Sequence, residues 1–279
     1  MWKKDMIETS RGRFEIFICG EGSPLCVTHL YSEYSELGNN FADVFVEKFQ
    51  VFLINLKDAG NSCKAEVEEE LSMLESCKDL EAIRVALHID RWSFAGHSTG
   101  GMLGLMYAIN YPSSLIKILV GGAAASNKYM EHEGSMYSVN SPLNERLIKL
   151  FSIMKSSEST KADRIKANRE WTEMSLYHPV KFDDYFSKPS SGRVVQKRLE
   201  YYSYQELPNY NIIDLLSEVS TPAIIYCGKY DTQCPLTFSE EIHRYMSESK
   251  MYVFNYSNHV PYIEEQRLFL EMINEFEQL

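Results

Sequence analysis

The chain has 279 residues, a size that suits one large domain or a core carrying an inserted subdomain. Hydrophobic residues make up 44% and charged residues 24%, enough apolar material for a sizeable core, and no apolar run reaches transmembrane length. The formal net charge of −11 opposes contact with nucleic acid or an anionic membrane surface, so neither is expected as a partner.

Residues 13–19 alternate apolar and polar side chains at period two, which predicts a strand. Residues 20–24, Gly-Glu-Gly-Ser-Pro, form a turn, and 25–29 a second strand. Residues 41–49 read as a short helix and 51–55 as a buried strand. From 66 to 87 the pattern is helical, with Leu71, Leu74, Leu80, Ile83 and Leu87 roughly on one face. A short apolar strand, 92–95, leads into Gly96-His97-Ser98-Thr99-Gly100. A helical segment follows to Asn110, then a strand at 116–120. Strands separated by helices imply an α/β fold with a mainly parallel sheet covered on both faces.

From about 124 to 216 the strand-like runs disappear. Charged and aromatic stretches compatible with helix replace them at 144–155, 162–176 and 194–204. Strand signals return at 222–227 and 251–254, and 267–276 closes the chain as an amphipathic helix. The expected organisation is a core of 1–123 and 217–279 with a helical insertion, 124–216. The six cysteines (Cys19, Cys26, Cys63, Cys77, Cys227 and Cys234) are scattered without metal-ligand spacing. The opening residues are charged and lack an export signal's apolar stretch. Reduced thiols in a cytoplasmic protein are therefore expected.

A G-x-S-x-G between a strand and a helix is the pattern of a nucleophile elbow, a turn so tight that its Ser adopts strained backbone angles. The same five residues also fit a glycine-rich turn with an incidental Ser, so the rest of the chain must decide. A serine hydroxyl needs a His to take its proton and a carboxylate to orient that His. Downstream of Ser98 the chain offers Asp231, just past the strand 222–227, and His259, just past 251–254. All three fall at carboxyl ends of parallel strands, where catalytic groups gather. His97 is expected to pack under the turn and His29 to brace a loop. His88, His132, His178 and His243 are read as solvent-facing or structural.

With these segments in place, the chain resembles α/β-hydrolase-fold proteins, of the branch that includes proline iminopeptidase-like hydrolases, small esterases and C–C hydrolases. The resemblance rests on residues 22–29, 55–62 and 79–83, the 96–100 elbow, Gly228-Lys229-Tyr230-Asp231 and the His259 segment, and covers nearly everything outside 124–216. It implies a nucleophile Ser98, an acid Asp231 and a base His259, with the insertion as a helical cap. It further implies an oxyanion hole built from the backbone N–H groups of Thr99 and Tyr31. The loop before Tyr31 reads His29-Leu30, where relatives read His-Gly. The His-Gly-Gly-Pro-Gly loop and the Trp after the nucleophile that mark proline iminopeptidases are both missing. His29, Leu30, Trp171 and Tyr202 are the side chains expected to meet a substrate. Glu170, Glu173, Glu200 and Glu206 are cap acids that could bind an amine, or else form solvated helix faces.

The expected activity is hydrolysis of an ester, thioester, lactone or small amide through an acyl-enzyme. The substrate would be a small molecule or short peptide, and no metal or organic cofactor is required. The alternatives are an aminopeptidase of the proline iminopeptidase type, a C–C hydrolase or acyltransferase using the same three residues, or a ligand sensor without turnover.

Overall fold

A computed structural model describes residues 1–279. The strands are β1 (Lys3–Thr9), β2 (Gly12–Cys19), β3 (Ser23–Val27), β4 (Ser32–Glu33), β5 (Phe49–Ile54), β6 (Trp92–His97), β7 (Leu115–Gly121), β8 (Arg193–Val194), β9 (Ala223–Gly228) and β10 (Ser249–Phe254). The α-helices are α1 (Asn40–Asp43), α2 (Met73–Ala86), α3 (Thr99–Asn110), α4 (Asn144–Lys155), α5 (Lys161–Glu173), α6 (Phe182–Tyr185), α7 (Gln196–Tyr201), α8 (Leu236–Tyr245), α9 (Pro261–Glu264) and α10 (Gln266–Gln278).

Eight strands form one sheet in the order β1-β2-β5-β3-β6-β7-β9-β10. Only β2 runs against the others; every pair from β5 to β10 is parallel. Successive strand residues point to opposite faces, and here both faces are covered. Cys26, Phe94, Ile118, Val120 and Ile225 face a core shared with Leu80 and Ile83 of α2, Leu103 of α3 and Ile242 of α8. Leu25, Val27, Leu53, Ala95, Leu119 and Ile224 face the opposite core, with Phe269, Ile273 and Phe276 of α10. This is why the parallel strands read as continuous apolar runs.

Three local expectations shift. The helix expected over 41–49 closes after α1, because Phe49 already pairs with Ser23 as the first residue of β5. The stretch 66–87 divides into a 3₁₀ turn, Glu68–Leu71, and α2. Ser72 makes the break: it is extended (φ −65°, ψ 160°), and its hydroxyl accepts from Glu75 N–H at 3.2 Å as an N-cap. The stretch 194–204 becomes α7 followed by a π-helical turn, Tyr202–Glu206.

Helices α4 to α7 lie in the chain between β7 and β9. This segment is tied to the core by a two-stranded antiparallel pair, β4 with β8, in which Ser32 faces Val194 and Glu33 faces Arg193. Glu206 adds a second tie, accepting the N–H of Met73 at 2.9 Å at the start of α2, where the helix dipole favours a carboxylate. No helix is long and apolar enough to cross a membrane.

Candidate active site

Ser98 sits between the end of β6 and the start of α3 with φ 57° and ψ −128°, a conformation costly for any residue with a Cβ. The flanking glycines are sterically required. A Cβ at Gly96 would fall 2.1 Å from the Gly100 carbonyl oxygen, and one at Gly100 would fall 2.6 Å from that of Thr28. The Ser98 N–H donates to the Gly121 carbonyl at 2.8 Å, which fixes the turn to the end of β7. The next residue, Gly122 (φ +52°), lies against the other two candidates. A Cβ there would be 3.2 Å from both Asp231 Oδ2 and His259 Cε1.

Asp231 follows β9 and is buried. Its Oδ1 accepts the N–H groups of Gln233 (2.9 Å) and Cys234 (2.8 Å), so the carboxylate is held by the backbone of its own loop. Its Oδ2 lies 2.8 Å from Nδ1 of His259, which is also buried. A carboxylate on Nδ1 keeps the proton there and leaves Nε2 as the basic nitrogen. The His259 N–H donates to the Ser175 carbonyl at 3.1 Å, just past the end of α5. Glu264 holds both sides of this contact, accepting Asn258 N–H (2.7 Å) and Tyr177 N–H (2.7 Å).

The two neighbouring histidines are kept neutral. Burial, with the nearby His259 adding to it, drives His97 well below its ordinary value. Burial likewise pulls His29 down to about 3, helped by His259 and Arg198. His29 does brace its loop: its Nε2 is 2.8 Å from the Thr99 hydroxyl and its Nδ1 is 3.0 Å from that of Ser32. The ring thus ties the loop after β3 to the first residue of α3. The Tyr31 N–H has only a long contact to His29 Nδ1, at 3.4 Å.

Of the side chains expected to meet a substrate, His29 lies beside Thr99, but Leu30 is fully buried and packs into the core. Tyr202 is also withdrawn, at 3% exposure; its hydroxyl is 3.1 Å from that of Tyr129 and donates to Met102 Sδ at 3.4 Å. Its ring stands 5.9 Å behind that of Tyr31. Trp171 packs edge-on against Phe151 of α4 at 6.0 Å. No group of three His, Cys, Asp or Glu side chains is arranged to hold a metal ion.

A mostly parallel sheet with helices on both faces and a serine on a strained strand-to-helix turn defines the α/β class of hydrolases. The family described as alpha/beta hydrolase fold matches residues 19–266, and the chain belongs to it. A proline iminopeptidase of Heyndrickxia coagulans is 26% identical over 298 residues, spanning 99% of each chain. Among solved structures, an alpha/beta fold family hydrolase from Bacillus anthracis str. Sterne superposes with a TM-score of 0.96 at 44% identity, covering 99% of both chains. An esterase from Exiguobacterium antarcticum shares the fold, with a TM-score of 0.70 at 20% identity over 99% of this chain and 100% of that one. The chain is a hydrolase of this fold.

Proposed function

We propose that the protein is a serine hydrolase that cleaves an ester, thioester, lactone or small amide of an uncharged acyl group. The observation that carries this reading is the buried 2.8 Å contact between His259 Nδ1 and Asp231 Oδ2 beside the strained Ser98 turn. His259 Nε2 takes the Ser98 proton as Oγ attacks the substrate carbonyl. The N–H groups of Thr99 and Tyr31 hold the oxyanion, each contributing roughly 3 kcal/mol where such donors have been removed from other enzymes. His259 then protonates the leaving group, and a water activated by the same nitrogen releases the acyl group. The segment 124–216 acts as the cap, a role supported by the Ser175 contact to His259 and the β4–β8 pairing.

Aminopeptidase activity is the second reading, favoured by the name of the Heyndrickxia coagulans relative. The four cap acids argue against it, because each already has a partner. Glu170 pairs with Arg146 (2.5 Å), Glu173 with Arg169 (2.8 Å), Glu200 accepts from Gln196 (2.7 Å), and Glu206 caps α2. The aromatic residues behind Tyr31 carry no charge for an ammonium group. A fluorophosphonate probe should label the wild-type protein and spare Ser98→Ala. A folded wild-type protein that resists the probe would end the serine-nucleophile reading. Equal cleavage of free and N-acetylated amides supports the uncharged-acyl reading; strict dependence on a free amine supports the aminopeptidase.

A further inference from the structure

Arg198, on α7 in the insertion, is 1% exposed and has no direct carboxylate partner. Burial pulls its guanidinium down to about 10, against the opposing pull of Asp79, Asp58 and Glu206. A buried cation with no ion-pair partner is costly and persists where hydrogen bonds compensate. Here Nη1 donates to the Lys57 carbonyl (3.1 Å), Nη2 to the Leu71 carbonyl (3.3 Å) and the Ser76 hydroxyl (2.7 Å), and Nε to the Leu30 carbonyl.

The last of these bonds bears on the reaction. The Leu30 carbonyl belongs to the peptide unit whose N–H is that of Tyr31. A peptide is planar, and every one in this chain is trans, so its C=O and N–H point in opposite directions. A guanidinium that fixes the oxygen therefore fixes the N–H on the far side. A cation on the oxygen also polarises the unit and strengthens its N–H as a donor. The following peptide is held by the same segment, because Val195 N–H donates to the Tyr31 carbonyl at 2.8 Å. Tyr31 is thus clamped on both sides by residues 193–198. The Tyr31 N–H itself has only its 3.4 Å contact to His29, which an oxyanion can displace.

The geometry points to Arg198 as the positioning residue of the oxyanion hole: its guanidinium grips the Leu30 carbonyl and so aims the Tyr31 N–H at the reacting oxygen. This rests on the reading of Ser98 as nucleophile and Tyr31 as donor. It makes a residue of the insertion a working part of the core's chemistry.

The test is the second-order rate of Ser98 labelling by a fluorophosphonate, whose phosphoryl oxygen needs the same donors, together with kcat and KM for p-nitrophenyl butyrate. Arg198→Met removes the grip, and Val195→Pro removes the other half of the clamp at a φ of −87°, close to what proline requires. Arg146→Met, which breaks a surface ion pair in the same insertion, controls for general loosening. Arg198→Met and Val195→Pro should label about 10- to 100-fold more slowly, reach the same final stoichiometry, and lose kcat with little change in KM. If Arg198→Met does not fold, Val195→Pro carries the test alone. Wild-type labelling rates in a folded clamp variant overturn the proposal and leave the Ser98 reading standing. A similar slowing in Arg146→Met also overturns it. Failure of the wild type to label at Ser98 overturns both.

Discussion

The hydroxyl of Tyr226 lies 2.9 Å from Nδ1 of His97, with the two rings stacked at 5.8 Å. The residue beside Ser98 is thereby held from beneath by the middle of β9. His97 is buried and neutral, and its Nε2 has no well-formed hydrogen bond, only the nearby backbone of His259. Removing the phenolic oxygen would leave the buried Nδ1 without its hydrogen bond. Tyr226→Phe should therefore cost about 1–3 kcal/mol of stability, read from urea unfolding. A loss within 0.3 kcal/mol, on the order of measurement error for such cycles, would mean that His97 re-pairs elsewhere.

The Tyr226 ring fits because residue 121 is glycine. A Cβ there would fall 1.8 Å from the ring, inside the sheet, where nothing can move away cheaply. Gly121→Ala should lose about 1–3 kcal/mol or more through overpacking. Gly122→Ala is a different kind of lesion. Its φ of +52° strains any side chain, at a cost of about 1 kcal/mol, but its Cβ would also press on His97 Cε1 at 2.8 Å and on the Asp231–His259 pair. The expected result is a folded protein whose fluorophosphonate labelling falls out of proportion to its small loss in Tm. Equal losses in the two properties would separate Gly122 from the site.

Asp231→Asn should keep the fold and lose roughly three to four orders of magnitude in kcat on an ester substrate, by analogy with the same change in other serine hydrolases. The loop dictates why. The N–H groups of Gln233 and Cys234 require an acceptor at the Oδ1 position, so the new amide must turn its NH₂ toward His259. Nδ1 of His259 would then have to accept, moving its proton to Nε2. That nitrogen could no longer take a proton from Ser98. A variant retaining more than a tenth of wild-type kcat would show that the tautomer does not matter here.

The parallel strands and the elbow were legible in the sequence because each obeys a local rule: continuous apolar runs for strands buried on both faces, and glycines where the turn leaves no room for a Cβ. Asp231 and His259 could be picked out because both sit just past a strand end. Strand β1 gave no clear signal, since its residues 3–5 are exposed and, beyond its pairing with β2, only Ile7 packs against the core. Helix α8 did leave one, Phe238 and Ile242 four residues apart, which its short polar stretch disguises. Tyr202 and Leu30 look the same in sequence whether they line a pocket or fill a core. Arg198 is 168 positions from Leu30, so no local pattern could connect the two.

The buried histidines set the acid limit of the fold. His29 titrates at about 3 in the folded chain and His97 well below its ordinary value, whereas both titrate near 6.5 when unfolded. Below about pH 6.5 the unfolded chain therefore binds protons that the folded chain refuses, and stability falls with pH until the folded-state values are reached. Each histidine contributes up to about 1.4 kcal/mol per pH unit in this window. Asp79, Glu206 and Glu264 work in the opposite direction, because burial raises their carboxyls and the folded chain takes up protons first. Glu15 adds a loss only below about 4.5: burial works to raise its carboxyl, but hydrogen bonds from Lys4, Asn61 and Asn55 outweigh it and hold it at about 2. The contribution of a single histidine is isolated by difference. In His97→Asn, whose amide can still meet the Tyr226 hydroxyl, the slope of unfolding free energy below pH 6 should be shallower, by at most one proton. Urea titrations across that range measure it directly, and identical slopes in the two proteins would mean that His97 gains its proton without unfolding.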